Sequence, residues 1–215
     1  MRSVQSQEKA RARKVLRRLK VEYKKTGPFV EWSTPLELLV GTILSAQCTD
    51  ERVNRVTKRL FHKYRSAQDY ADASLEVLEQ DIYQTGFYRS KAKYLKGTGA
   101  LLVQKYAGEV PNDFEALLAF PGVARKTAHI IMAKAFRVFT GVPVDTHVLR
   151  IAPRLGLTKH AEQEKIAKDL EALFPKEDYL SVNEHFITHG RAVCIPRTPR
   201  CESCVLLDLC PFGNR

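Results

Sequence analysis

Near the end of the chain four cysteines stand in one run, Cys194, Cys201, Cys204 and Cys210, spaced C-x6-C-x2-C-x5-C and followed by Pro211. The loops between them are too short to carry a hydrophobic core, so whatever the sulfurs hold must organise this stretch. Four soft thiolates suit zinc or an iron–sulfur cluster. Zinc knuckles usually pair two C-x2–4-C units across a longer gap, and only one C-x2-C is present. The compact run closing on Cys-Pro favours cluster ligation. The expected centre is a [4Fe–4S] cluster on these four residues, with zinc as the second reading. Two disulfides are disfavoured, because no secretory signal precedes the chain and 215 residues need no covalent staples. Cys48 lies in an apolar, helix-like run and is expected to be a small buried residue rather than a ligand.

The length allows one or two domains with a sizeable core. No apolar run is long enough to span a membrane. The expected location is therefore the reducing cytoplasm, beside the nucleoid if the source is prokaryotic. The formal net charge is +11, and residues 1–27 hold ten Lys/Arg against Glu8 and Glu22. In that segment Ala12, Val15, Leu16, Leu19 and Tyr23 recur at helical spacing, which predicts a basic amphipathic helix. Its polar side reads either as a solvated face on a docked helix or as a phosphate-facing surface. The narrow apolar face favours nucleic acid over membrane as the partner.

Helical signals cover most of the rest. Thr34-Pro35-Leu36-Glu37 combines a capping box with Pro at the first helical position. Asp50 opens a further helix, Ser74 caps another over Leu75 to Ile82, and a helix resumes near Ser90 after Gly86. Further helices fit 114–119, 125–136, 146–154, 162–173 and 182–193. Strand-like alternation is scarce, so an all-α protein follows.

Within this frame, residues 117–128 (LLAFPGVARKTA) read as two short helices around a Pro-Gly turn. Such a turn leaves backbone N–H groups free beside the positive end of the second helix, where they can hold a phosphate without reading sequence. Nineteen residues after Lys126 comes Asp145, in Val-Asp-Thr-His.

Four features together carry a family resemblance: LSAQCTD at 44–50, GFYRSKA at 86–92, FPGVARKTA with VPVDTH across 120–147, and the cysteine run. The chain resembles the endonuclease III-type DNA glycosylases of the helix–hairpin–helix superfamily, over most of residues 34–211. The resemblance implies excision of oxidised pyrimidines from duplex DNA and β-elimination at the abasic site, a bifunctional N-glycosylase and abasic-site lyase. It implies Lys126 as nucleophile and Asp145 as catalytic carboxylate. For Lys126 alone the competing reading is a solvated residue or phosphate contact, and for Asp145 an N-cap. By resemblance Gln47 and Phe87 enter the duplex from opposite sides, as chemistry on a base requires its removal from the stack. Gln47 could otherwise cap its helix, and Phe87 could fold back into the core. Gly122, Val123 and Ala124 form the hairpin that meets DNA, and Arg197 and Arg200 suit the DNA backbone.

Two residues depart from the family pattern: Ala124 replaces the hairpin's second glycine, and His129 stands where Asn is common. The resemblance also implies two helical lobes with a DNA cleft between them. One is a six-helix lobe over 28–138 with the hairpin. The other joins 1–27 to 139–215 and carries the cluster. The expected partner is double-stranded DNA with damaged bases or abasic sites, bound by a monomer and without a membrane. Two alternatives stand beside this reading. One is a monofunctional mismatch glycosylase of the same superfamily, which would lack the lysine. The other is a non-catalytic DNA-binding module with a structural metal.

Overall fold

The computed structural model describes residues 2–27 and 29–214. Its α-helices, in order, are α1 (Arg2–Glu22), α2 (Pro35–Leu44), α3 (Asp50–Lys63), α4 (Ala67–Asp72), α5 (Leu75–Ile82) and α6 (Tyr88–Tyr106). They continue as α7 (Phe114–Leu118), α8 (Arg125–Ala135), α9 (Thr146–Arg154), α10 (Gln163–Leu173) and α11 (Tyr179–Ala192), with four 3-10 turns, and no strand is present among the described residues.

Side-chain caps start many of these helices. The Thr34 hydroxyl accepts the Glu37 amide while the Glu37 carboxylate accepts the Thr34 amide, and Ser66 with Asp69 repeats the device before α4. Ser74, Asp113 and Asp145 accept first-turn amides of α5, α7 and α9. The chain divides into two compact units, one of Met1–Gly27 with Phe139–Arg215 and one of Pro28–Val138.

The Pro28–Val138 unit is built on α6. Its core holds Leu39, Leu44, Leu78, Ile82, Leu95 and Leu102, each at most 1 % exposed. Gly99 lets α4 lie directly on α6: a Cβ there would meet the Ala67 carbonyl at 2.6 Å and the Ala71 amide at 2.7 Å. Leu117 and Phe120 are buried in the same core, so the α7–α8 hairpin is anchored from beneath. Burying each such side chain is worth about 1.5–3 kcal/mol.

In the other unit the apolar stripe of α1 (Ala12, Val15, Leu16 and Leu19) is buried with Val148, Ile151, Ile166, Leu170, Val182 and Phe186. Gly190 allows α11 to cross α9, since a Cβ there would come within 2.8 Å of the Arg150 guanidinium. The cysteine segment joins this core through Leu206, which is fully buried. Arg11 donates to the carbonyls of Leu155 (2.7 Å), Gly156 (2.8 Å) and Leu209 (3.2 Å). Arg18 donates to the Val205 carbonyl and pairs with Asp208, and Lys20 pairs with Asp178. The basic face of α1 thus serves two ends. Arg11, Arg18 and Lys20 bind the fold internally, whereas Arg13, Lys14 and Arg17 are exposed.

Candidate functional site

The hairpin turn depends on Gly122, whose φ of 79° is one that residues with a Cβ avoid. A Cβ there would also strike the Tyr94 ring at 2.7 Å. Val123 is buried and its amide donates to the Phe120 carbonyl at 3.1 Å, so it anchors the turn, while Gly122 and Ala124 are exposed. Ala124 is the N-cap of α8 and offers no side-chain bond. The first-turn amides of α8 therefore face outward without an intrahelical partner, at the positive end of the helix dipole. A methyl group at position 124 leaves this opening intact, because the residue sits in ordinary extended backbone (φ −96°, ψ 169°).

Lys126 occupies the second position of α8 and is half-buried. Among the described residues its ammonium has no hydrogen-bond or ion-pair partner. Next to it on the helix, the Arg125 guanidinium lies over the Phe114 ring (5.1 Å), and Phe114 stacks on His129 (4.5 Å). Burial, and then the charge of Arg125, hold the His129 imidazolium down to about pKa 4. His129 is therefore a neutral, packed ring at physiological pH.

Asp145 is the N-cap of α9, with Oδ1 accepting the His147 and Val148 amides at 2.9 Å each. Capping engages one carboxylate oxygen and holds the group at a fixed place, which leaves Oδ2 for other work. Gln47 and Phe87 are both exposed, Phe87 at 65 %. Both stand in the left-handed region, at φ 52° and 49°, where non-glycine residues are strained. Phe87 is thus not a core aromatic, and Gln47 sits on the loop after α2, not in a cap.

The four cysteines line one pocket whose walls also include Arg154, His189, Val193, Leu207 and Phe212. All four thiols are free of disulfides and half-buried. No three His, Cys, Asp or Glu side chains among the described residues converge tightly enough to hold a single metal ion. The four thiols share one pocket, and four soft sulfur donors in one place suit an iron–sulfur cluster. Burial, and behind it the charges of the other three cysteines, raise the Cys204 pKa. A positively charged centre reverses that repulsion, so the donor set fits a cationic cluster. Cys48, by contrast, is half-buried against the Pro28–Val138 core, more exposed than its apolar run implies.

Three groups that local sequence patterns did not single out build the wall of this cage. Arg154 donates to Cys194 Sγ (3.3 Å) and to the carbonyls of Ile195 (2.9 Å) and Pro196 (2.6 Å), and it lies over the Phe212 ring. Arg150 donates to the Cys194 carbonyl (3.1 Å). His189 lies 3.7 Å from Cys204 Sγ and 3.0 Å from the Tyr23 hydroxyl, and burial lowers its pKa to about 4. Arg197 and Arg200 are exposed on the loop that Arg154 braces.

A uniform helical architecture, a glycine hairpin opening a basic helix and a four-thiol cage define a class, and comparison with known proteins gives the same one. Residues 40–176 match the HhH-GPD superfamily base excision DNA repair proteins, and residues 194–210 match the iron–sulfur binding domain of endonuclease III. The chain belongs to the HhH-GPD superfamily of base excision DNA repair proteins. Its relatives there are endonucleases III. That of Synechocystis sp. is 47 % identical, over 96 % of this chain and 94 % of the relative. That of Escherichia coli is 35 % identical, over 96 % and 98 %. A solved endonuclease III–DNA covalent intermediate is 41 % identical with a TM-score of 0.89, over 96 % of this chain and 97 % of that one. A thermostable thymine-DNA glycosylase at 22 % identity and a TM-score of 0.86 shares the fold. The chain carries a [4Fe–4S] cluster, and the match to the iron–sulfur binding domain runs from Cys194 to Cys210. Among the described residues no helix is long and apolar enough to cross a membrane.

Proposed function

We propose that Lys126 is the nucleophile with which this chain removes oxidised pyrimidines from duplex DNA and then cuts the strand. The chain is a base-excision-repair DNA glycosylase with abasic-site lyase activity, and it binds DNA. The observation that carries the assignment to Lys126 is its half-buried amine, unpartnered among the described residues, on the first turn of a helix whose amides face outward. An amine that is to attack carbon cannot be locked in an ion pair.

In the proposed sequence, Lys126 Nζ in its neutral form attacks the deoxyribose C1′ and the C1′–N bond to the base breaks. The base leaves with the bonding electrons and takes up a proton. The sugar ring opens to a protonated Schiff base. This iminium withdraws electrons from C2′, so a C2′ proton is lost and the C3′–O bond breaks on the 3′ side of the lesion. Water then releases the lysine. Asp145 stabilises positive charge developing on the sugar, or accepts the proton that Lys126 must lose.

The outward-facing amides at the start of α8, beside the exposed Gly122 and Ala124, hold a phosphate, with Val123 as the buried anchor of the turn. Gln47 and Phe87 fill the stack when the base leaves it. Arg197 and Arg200 neutralise backbone charge. The working partner is double-stranded DNA with damaged bases or abasic sites, and the enzyme acts as a monomer at the nucleoid.

Support for a covalent route comes from a relative solved as a trapped covalent intermediate with DNA. The test is Lys126→Gln, which removes the amine and keeps length and polarity. It should abolish base release, strand cleavage and borohydride trapping while duplex affinity stays within about threefold. A borohydride-stable adduct at normal yield in that variant would make the assignment wrong.

A further inference from the structure

Gln47 and Phe87 lie on different loops, forty residues apart in the chain. Each loop follows the end of a helical segment: α2 ends at Leu44, and a 3-10 turn ends at Thr85. The last carbonyls of such segments have no backbone donor. After α2 the following amides go elsewhere, Ala46 to the Ile43 carbonyl (3.4 Å) and Cys48 to the Ser45 carbonyl (3.1 Å). The Leu44 and Thr85 carbonyls both receive the same donor, Lys91 Nζ, at 2.8 Å each. Leu44 stands three residues before Gln47, and Thr85 stands two before Phe87.

Lys91 lies near the start of α6 and is only 3 % exposed. A lysine shut away from water is costly unless its N–H groups find acceptors, and a Leu or Met would fill the same space more cheaply. Burial lowers its pKa. The two carbonyls it meets are the negative ends of helical segments, which favour a cation there. What the ammonium adds over an apolar residue is a bond to each of two loops at once. Both loops also hold a residue in the left-handed region, a conformation that persists only when its surroundings enforce it.

We infer that Lys91 is a positioning residue whose buried ammonium clamps the Gln47 loop to the Phe87 loop and keeps their side chains at the spacing an opened base stack requires. The inference rests on Gln47 and Phe87 being the groups that enter the duplex. It predicts that the clamp matters when a base must be turned out, and matters less when the site is already abasic.

The test is Lys91→Met in the full, cluster-loaded protein. Methionine fills the cavity and has no N–H to give. Hydrogen exchange at the amides of residues 45–49 and 84–88 should rise in both loops together, by about tenfold. Visible absorbance of the cluster should be unchanged, and affinity for undamaged duplex should stay within about twofold. Base release from a paired lesion should fall by about tenfold or more, and cleavage of a preformed abasic site by less than about threefold. In a Phe87→Ala background the same substitution should add little, since both act on one step. Unchanged exchange in either loop, or fully additive losses in the double variant, would overturn the clamp. If Phe87→Ala alone has no selective effect on paired lesions, the stack-filling reading fails, and the exchange measurement still decides whether Lys91 holds the loops. Should the Met variant not fold, Lys91→Gln, too short to reach both carbonyls, must free at least one loop; two protected loops would refute the role.

Discussion

Asp145 has two duties that one substitution can separate. Its Oδ1 caps α9 through two amides at 2.9 Å, while the proposed chemistry needs its negative charge. Asparagine caps about as well as aspartate, so Asp145→Asn should alter thermal stability by less than about 0.5 kcal/mol. The same variant should slow base release by about 10²–10⁴-fold. Asp145→Ala should lose activity likewise and, with the cap gone, about 1 kcal/mol of stability. An Asn variant that excises at the wild-type rate would reduce Asp145 to a cap. His129 gives a pH signature. Its ring is held neutral down to about pKa 4, against an ordinary value of 6.5. Between these values the unfolded chain binds a proton that the folded chain refuses. Stability attributable to this residue is therefore full above about pH 6.5 and falls as pH drops toward 4, by about 2–3 kcal/mol in all. His129→Asn should flatten that part of the profile in denaturant melts at pH 7, 5.5 and 4.5. An unchanged acid slope would mean that other groups set it.

Among the elements, the loop between Cys194 and Cys201 depends on α9 for its shape. Arg154 supplies bonds to Cys194 Sγ and to two successive loop carbonyls. Each hydrogen bond from a charged group contributes about 1.5–3 kcal/mol, so Arg154→Met should let the loop open about tenfold or more often. Cluster absorbance in air should then bleach correspondingly faster, with the initial iron content unchanged. Equal bleaching rates would show that the loop is held by its cysteines alone. This brace also marks where sequence reading stops. Local chemistry was legible: the Thr34 capping box, the Ser74 cap and the apolar stripe of α1 all act within one or two turns. The six-residue α4 escaped because so short a helix shows no periodicity, although its Ser66–Asp69 capping box stands in the sequence. Arg150 and Arg154 escaped because their partners around the cysteine loop lie forty or more residues away and are mostly backbone carbonyls, which every residue has. Gln47 and Phe87 were legible as residues, but their left-handed backbone was not, as neither is a residue type that announces positive φ.

Over the whole molecule the excess of positive charge must be divided between holding the fold and holding DNA. Arg11 and Arg18 bond to carbonyls of their own unit, so replacing them should damage that unit before it weakens any phosphate contact. Arg197 and Arg200 are exposed on a braced loop and, among the described residues, have no comparable internal task. If each neutralises one phosphate, replacing both with Gln should lower the slope of log affinity against log salt by up to about 1.8 on duplex DNA. Phosphates carry no sequence or damage information, so affinity for intact and damaged duplex should fall by the same factor. Borohydride trapping at saturating abasic DNA should be unaffected, because the proposed nucleophile, Lys126, is untouched. Filter-binding or anisotropy titrations at several salt concentrations measure both slopes. A loss confined to the damaged duplex, with an unchanged slope on the intact one, would mean that this loop senses the lesion, and its two arginines would then belong with Gln47 and Phe87 rather than with the backbone contacts.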